Sequence, residues 1–384
     1  MASVPTILHH RVLPSSSSNT GYFPNQTVDF VIQAPSRKLV SGSLRIEATV
    51  AVSRLSDGGP QQITSECKLD AFVGAHSFFD QFSTEVESKG MMETLQNYPR
   101  YMSMQSKASM SQDDTCTLAM GAELRSGGKS ENGKYALQPV IERSDDATGA
   151  GNKDTDPSSF SIKPMVCFNR SQGNQYSFDR NGFIRVSCIL ARNSDAFFGR
   201  ALDGSNCSYV LSDLACRFVT VPEDNDVSPQ LMRSYISTVN SVQSTASSLV
   251  SRVPSSRVNG VAVSFIKQAD VQSADENSLA LQSVPNYVST EYNFASSTNQ
   301  NVTYVLFDKA DAIQRGLDAL TDSGHSNVSI QTLKANNGSI LGIPFGQYLD
   351  LSNQLFSMKL NLQSTTITSE PMQAMSFFSS LLEL

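Results

Sequence analysis

No stretch of the 384-residue chain approaches the roughly 18 consecutive apolar residues that a membrane-crossing helix requires. The opening segment, MASVPTILHHRVLPSSSSNTG, also lacks the continuous apolar core of a secretory leader, because Pro5 and Pro14 interrupt it. A soluble protein made in a cytosol is the expectation. The six cysteines (Cys67, Cys116, Cys167, Cys188, Cys207, Cys216) contain no C-x-x-C pair, and Cys188 and Cys216 sit in apolar runs, so buried free thiols are expected. The only histidines are His9, His10, His76 and His325, with no H-E-x-x-H and no His/Cys ligand spacing, which argues against a built-in metal site. Tryptophan is absent, but 20 Phe and 11 Tyr supply ample core material. A net charge of −7 with no basic patch between aromatics argues against sequence-specific nucleic-acid binding as the main task.

Motifs for chemistry fail one by one. Ser126 to Ser130 reads SGGKS, like the end of a phosphate-binding loop, but the required glycine at position 123 is Glu123. Ser126 and Lys129 have S-x-x-K spacing without either companion motif. Asp145, Asp146, Asp154 and Asp156 form an acidic loop without the Asp/Asn spacing of an EF-hand. The sequons at Asn25, Asn301 and Asn337 carry no weight without a leader. We therefore expect no cofactor, no catalytic cluster and no enzyme.

What is present is strict alternation. Val28, Phe30 and Ile32 alternate with Thr27, Asp29 and Val31, and Leu44, Ile46, Ala48 and Val50 alternate with Arg45, Glu47 and Thr49. The same pattern returns at Ile184 to Leu190, Tyr209 to Val221, Val261 to Phe265, Val288 to Phe294, Val302 to Phe307, Val328 to Leu333, Ser339 to Ile343 and Leu355 to Leu362. A period of two belongs to strands with one buried and one wet face, the habit of antiparallel sheets. No βα alternation recurs, so the fold class is all-β and mainly antiparallel.

Helical signals are few. Ser77 to Gly90 offers a cap, Asp80 three residues on, and Phe78, Phe79, Phe82 and Val86 as a face. Around Met91 to Met110 Pro99 is expected to interrupt any helix. Asp308 caps a second candidate with Ile313, Leu317 and Leu320 as its face and Gly324 as its stop. Ser228 to Val253 places Leu231, Tyr235, Val239, Val242, Ala246, Leu249 and Val253 at steps of four and three, which predicts either a helix packed across two domains or a Ser-rich linker. In the last stretch Met372, Met375, Phe378 and Leu382 fall at helical spacing after Ser369 and Pro371.

These signals divide the chain into an arm (1–22), a first β-domain (23–227) with long polar loops at 121–161, the linker (228–253), a second β-domain (254–368) and an apolar tail (369–384). The tail residues Met372, Met375, Phe377, Phe378, Leu381 and Leu382 need burial, worth roughly 5 to 10 kcal/mol for three or four side chains. The tail docks either on its own domain or on a neighbouring subunit or lipid surface, where these six would be assembly contacts.

Two tandem antiparallel β-domains with one capped helix each, long polar loops and terminal arms resemble the double jelly-roll major capsid proteins of the adenovirus and membrane-containing bacteriophage lineage. The resemblance covers nearly the whole chain and carries no motif. It implies two jelly-roll sandwiches, a homotrimer forming a pseudo-hexagonal tile, self-assembly into an icosahedral virion shell in the host cytoplasm, and contacts with neighbouring capsomers, penton or minor capsid proteins and an internal lipid membrane. A trimeric β-rich receptor-binding or tail-fibre module is the alternative, and a glycan-cleaving sandwich enzyme a third reading that would need paired carboxylates across a groove.

Overall fold

The computed structural model describes residues 6–16, 21–56, 59–61, 67–70, 72–109, 140–141, 158–170, 175–198, 207–224, 231–242, 248–271, 273, 276–295, 301–306, 308–325, 327–335, 339–362 and 371–384. Eight strands build the first half: β1 (Leu8–Val12), β2 (Thr27–Ile32), β3 (Arg45–Ser56), β4 (Phe79–Val86), β5 (Gly90–Leu95), β6 (Ser158–Ile162), β7 (Ile184–Leu190) and β8 (Cys207–Pro222). They pair antiparallel in two sheets ordered β1-β8-β3-β6 and β2-β7-β4-β5, the first extended by the short pieces Arg37–Leu39, Gly59–Gln61 and Tyr176–Ser177. Alternation does the sorting: Val28, Phe30, Ile32, Ile46 and Val50 are all but fully buried, whereas Val31 remains 37% exposed.

Eight more strands build the second half: β9 (Leu231–Val242), β10 (Ser248–Arg252), β11 (Val258–Lys267), β12 (Tyr287–Ala295), β13 (Asn301–Leu306), β14 (Ile340–Leu349), β15 (Leu355–Leu362) and β16 (Met372–Glu383). Their sheets run β9-β16-β11-β14 and β10-β15-β12-β13. Counted from the start of each half, both halves follow the same order, one-eight-three-six facing two-seven-four-five, which is the connectivity of a jelly roll. Each half also places its long helical excursion between its fifth and sixth strands: α1 (Tyr98–Ser109) in the first, α2 (Lys309–Asp322) and α3 (Ile330–Ala335) in the second. No described helix is long and apolar enough to cross a membrane.

Several local expectations are overturned. Ser228 to Val253 is neither helix nor linker where it is described: it supplies strands β9 and β10, the first two of the second jelly roll. The tail is not helical either. It is β16, whose register with β9 runs unbroken from Leu231 opposite Glu383 to Val242 opposite Met372. Ser77 to Gly90 forms a 3₁₀ turn (Gly74–Phe78) followed by β4, and a bulge at the β7 pairing turns both Phe79 and Phe82 inward. Pro99 does not interrupt a helix but sits in the first turn of α1, where its missing N–H costs nothing. Val328 to Leu333 contributes to α3 and not to a strand. The arm is partly β1, paired with β8 from Leu8 opposite Thr220 to Val12 opposite Cys216.

The capped helix of the second half forms as expected. Asp308 accepts the N–H of Asp311 at 2.6 Å, and Ile313, Leu317 and Leu320 are buried. α2 lies on the outer face of β11 and β14, where Gly316 and Gly342 let the two backbones approach; a Cβ on Gly342 would stand 2.4 Å from the carbonyl oxygen of Val261. The tandem architecture expected from the alternation is present, with the linker and tail incorporated into the second sandwich.

Candidate functional site: the junction between the two halves

The two jelly rolls are joined through α1, β5, β9 and β16. Glu93 occupies an inward position on β5, opposite Thr84, and forms an ion pair with Arg170 at the end of the short helical turn Cys167–Arg170. Their side chains are 1% and 3% exposed. The Glu93 carboxylate also accepts the N–H of Cys167 and, from the second half, the N–H of Tyr235, each at 2.9 Å. Arg170 donates to the carbonyl of Arg233 at 3.2 Å, and its guanidinium lies over the rings of Tyr235 (4.4 Å) and Tyr101 (5.5 Å). Burial works against the Arg170 charge, but Glu93, Tyr101 and Tyr235 together outweigh it and hold the guanidinium above its ordinary range.

Behind this pair, Nε2 of His325 meets the hydroxyls of Tyr101 (3.0 Å) and Tyr235 (2.7 Å), one from each half. Burial, with Arg170 and Arg233 nearby, lowers the imidazole to about 3, so it is neutral at physiological pH. Phe377 completes the cluster, its ring 5.5 Å from that of Tyr101, while the next residue, Phe378, points into the sandwich against Phe356 at 5.1 Å. β16 is thus buried on both faces, one by its own jelly roll and one by the other half.

A second buried knot spans the junction. Lys107, on α1, pairs with Asp70 at 2.9 Å and donates to the carbonyl of Leu279 at 2.9 Å. Asn277 donates its side-chain amide to the same Asp70 oxygen at 2.6 Å, and Ser103 donates to Leu279 O at 2.6 Å. A cleft of about 210 Å³ also opens between the two halves, lined by Asp80, Pro99, Arg100, Arg192, Asp195 and Gln373 among others. Asp195 is bound by Arg192 at 2.8 Å, burial and then Asp195 raise the Asp80 carboxyl, and burial lowers the Arg100 guanidinium to about 10.

Four of the six candidate assembly residues of the tail are buried within their own chain. Met372, Met375, Phe377 and Phe378 are at most 3% exposed within this chain, so of the two docking alternatives the tail takes its own domain; Leu381 and Leu382 are half-buried. His10 stacks on Phe218 and bonds Thr220, and His76, lowered to about 3 by burial, bonds the Tyr98 hydroxyl at 2.7 Å. Cys167, Cys188 and Cys216 are buried free thiols, and burial raises all three. Among the described residues no group of His, Cys, Asp or Glu is arranged to hold a metal ion. Ser126, Lys129 and the aspartates at 145, 146, 154 and 156 lie outside the described residues. Glu93, Arg170, Tyr235 and His325 were missed because their partners are 63 to 224 residues apart in sequence.

No family model and no curated protein matches the sequence. Solved structures do match in fold. VP54 of the virus PBCV-1, fitted into a reconstruction of the virophage Sputnik, aligns at a TM-score of 0.58 with 8% identity, covering 100% of this chain and 95% of that one. The Faustovirus major capsid protein aligns at 0.58 with 9% identity, covering 99% and 90%. The Sputnik virophage structure aligns at 0.54 with 9% identity, covering 98% and 85%. Two tandem jelly rolls of like connectivity define the class, and its fold is that of the double jelly-roll major capsid proteins.

Proposed function

We propose that the chain is a viral major capsid protein that assembles as a homotrimer into the tiles of an icosahedral shell. One observation carries this reading: the same eight-strand order occurs twice in one chain, with the two units held together by buried polar contacts. Three such chains around a threefold axis present six similar sandwiches, a near-hexagonal outline that packs a surface without gaps. The mechanism is self-assembly through complementary surfaces, with no turnover of a substrate, in a virion capsid assembled in the host cytoplasm. The fold of the neighbours favours this reading over a spike or tail-fibre module.

Contacts with neighbouring capsomers, minor capsid proteins or a lipid layer would use exposed apolar positions such as Ile7 (58%), Leu13 (59%) and Leu355 (63%), with the buried methionines and phenylalanines of β16 serving the interior. Light scattering on a sizing column, followed by electron microscopy of the same fractions, tests the proposal. A particle of about 125 kDa, three times 41.7 kDa, with hexagonal outlines or shells is expected. A monomer that persists at high concentration would overturn it.

A further inference from the structure

The Lys107, Asp70 and Asn277 knot holds the parts of a bond-forming reaction. Lys107 Nζ and Asn277 Nδ2 both bind Oδ2 of Asp70, at 2.9 and 2.6 Å, so amine and amide stand side by side on one carboxylate oxygen. The carbonyl of the same amide, Asn277 Oδ1, accepts the backbone N–H of Leu279 at 3.0 Å, which polarises it and would stabilise negative charge developing on that oxygen. The Lys107 amine donates as well to the Leu279 carbonyl, two residues from Asn277, which keeps the nucleophile beside the loop carrying the electrophile. Lys107 and Asp70 are 5% and 3% exposed, and the Phe72 ring lies 5.9 Å from the amine, so water is largely excluded from the amine and the carboxylate, while Asn277 is half-buried.

We propose that Lys107 and Asn277 form an isopeptide bond that covalently ties the first jelly roll to the second. The ammonium first passes a proton to Asp70, leaving a neutral amine and a carboxylic acid. Nζ then attacks Cγ of Asn277, and the carbonyl oxygen takes up the negative charge under the Leu279 N–H. Asp70 delivers its proton to Nδ2 as the Cγ–Nδ2 bond breaks, and the second proton lost by Nζ passes through Asp70 to the released ammonia, which leaves as ammonium and restores the carboxylate. One amide and one ammonium become one secondary amide and one ammonium ion, so the reaction needs no oxidant, nucleotide or metal. Holding the reactants in place makes this otherwise slow exchange feasible, because it becomes unimolecular. The inference does not depend on the shell reading, since it concerns contacts within one chain.

The test is the intact mass of the purified full chain in denaturant. The expected result is a deficit of one ammonia relative to the sequence, with a branched peptide joining the Lys107 and Asn277 fragments after digestion. Asp70→Asn and Lys107→Arg should each restore the full mass, and these readings hold whether or not the variants fold. A wild-type chain at full sequence mass after prolonged incubation in native buffer would overturn the proposal. So would an ammonia deficit that survives Lys107→Arg, because the loss would then not involve the Lys107 amine.

Discussion

The carboxylate of Glu93, on the edge strand β5 of the first jelly roll, accepts the backbone N–H of Tyr235, on the opening strand of the second, at 2.9 Å. The same carboxylate pairs with Arg170, so one buried anion serves both a charge and the seam between the two units. Because the pair has almost no access to water, removing one partner leaves the other as a buried, uncompensated charge.

Glu93→Gln is therefore expected to destabilise the chain by about 3 to 5 kcal/mol and to loosen the coupling of the two halves. Calorimetry should resolve one transition for the wild type and a split or broadened one for the variant. A single transition at the wild-type temperature would show that the pair is dispensable.

Acid should weaken the fold through His325 and His76. Both are lowered to about 3 by burial, whereas an unfolded histidine titrates near 6.5, so below that pH the unfolded chain binds more protons. Their stabilising effect is complete above about pH 6.5 and is lost as pH falls toward 3, by up to about 1.4 kcal/mol per pH unit for each. Urea midpoints between pH 6.5 and 4.5 (about two units, within the window where the two states differ) should fall more steeply for the wild type than for His325→Gln. Parallel curves would reject the role given to His325.

Deleting residues 371–384 removes β16, the strand paired with both β9 and β11 and buried on two faces. The second jelly roll is expected to lose its fold, seen as lost sheet signal in circular dichroism and as aggregation. Deleting residues 1–13 removes only the edge strand β1, with Leu8 40% exposed, and should leave both jelly rolls folded. A soluble, sheet-rich product from the first deletion would contradict the central place of β16.

Gly342→Ala should cost about 1 to 3 kcal/mol or more, because the new methyl would stand 2.4 Å from the Val261 carbonyl oxygen and 3.2 Å from Gly316 on α2. Thermal melts of the full chain give the answer. An unchanged melting temperature would mean that β11 and α2 both yield to the methyl without loss.

Much of this architecture is legible in local pattern. Strict alternation at Val28 to Ile32 and Ile184 to Leu190 identifies half-buried strands without help from the rest of the chain, and Asp308 with the Ile313, Leu317 and Leu320 face identifies α2. Composition also shows two β-rich halves, because the alternation recurs on both sides of Ser228 to Val253.

The strands β9 and β16 and the junction were decided only by tertiary structure. A step of four, as from Leu231 to Tyr235 to Val239, matches about one helical turn and also two pleats of a strand, so spacing alone leaves the choice open. Where both faces of a strand are buried, as in Met372 to Ser380, the wet face that betrays a strand disappears. Which conformation wins depends on partners far away in sequence: β16 is a strand because β9 and β11 offer their open edges to it. The Glu93, Arg170, Tyr235 and His325 cluster is invisible for the same reason, since each residue is ordinary in its own segment and acquires a role only when the two sandwiches close on one another.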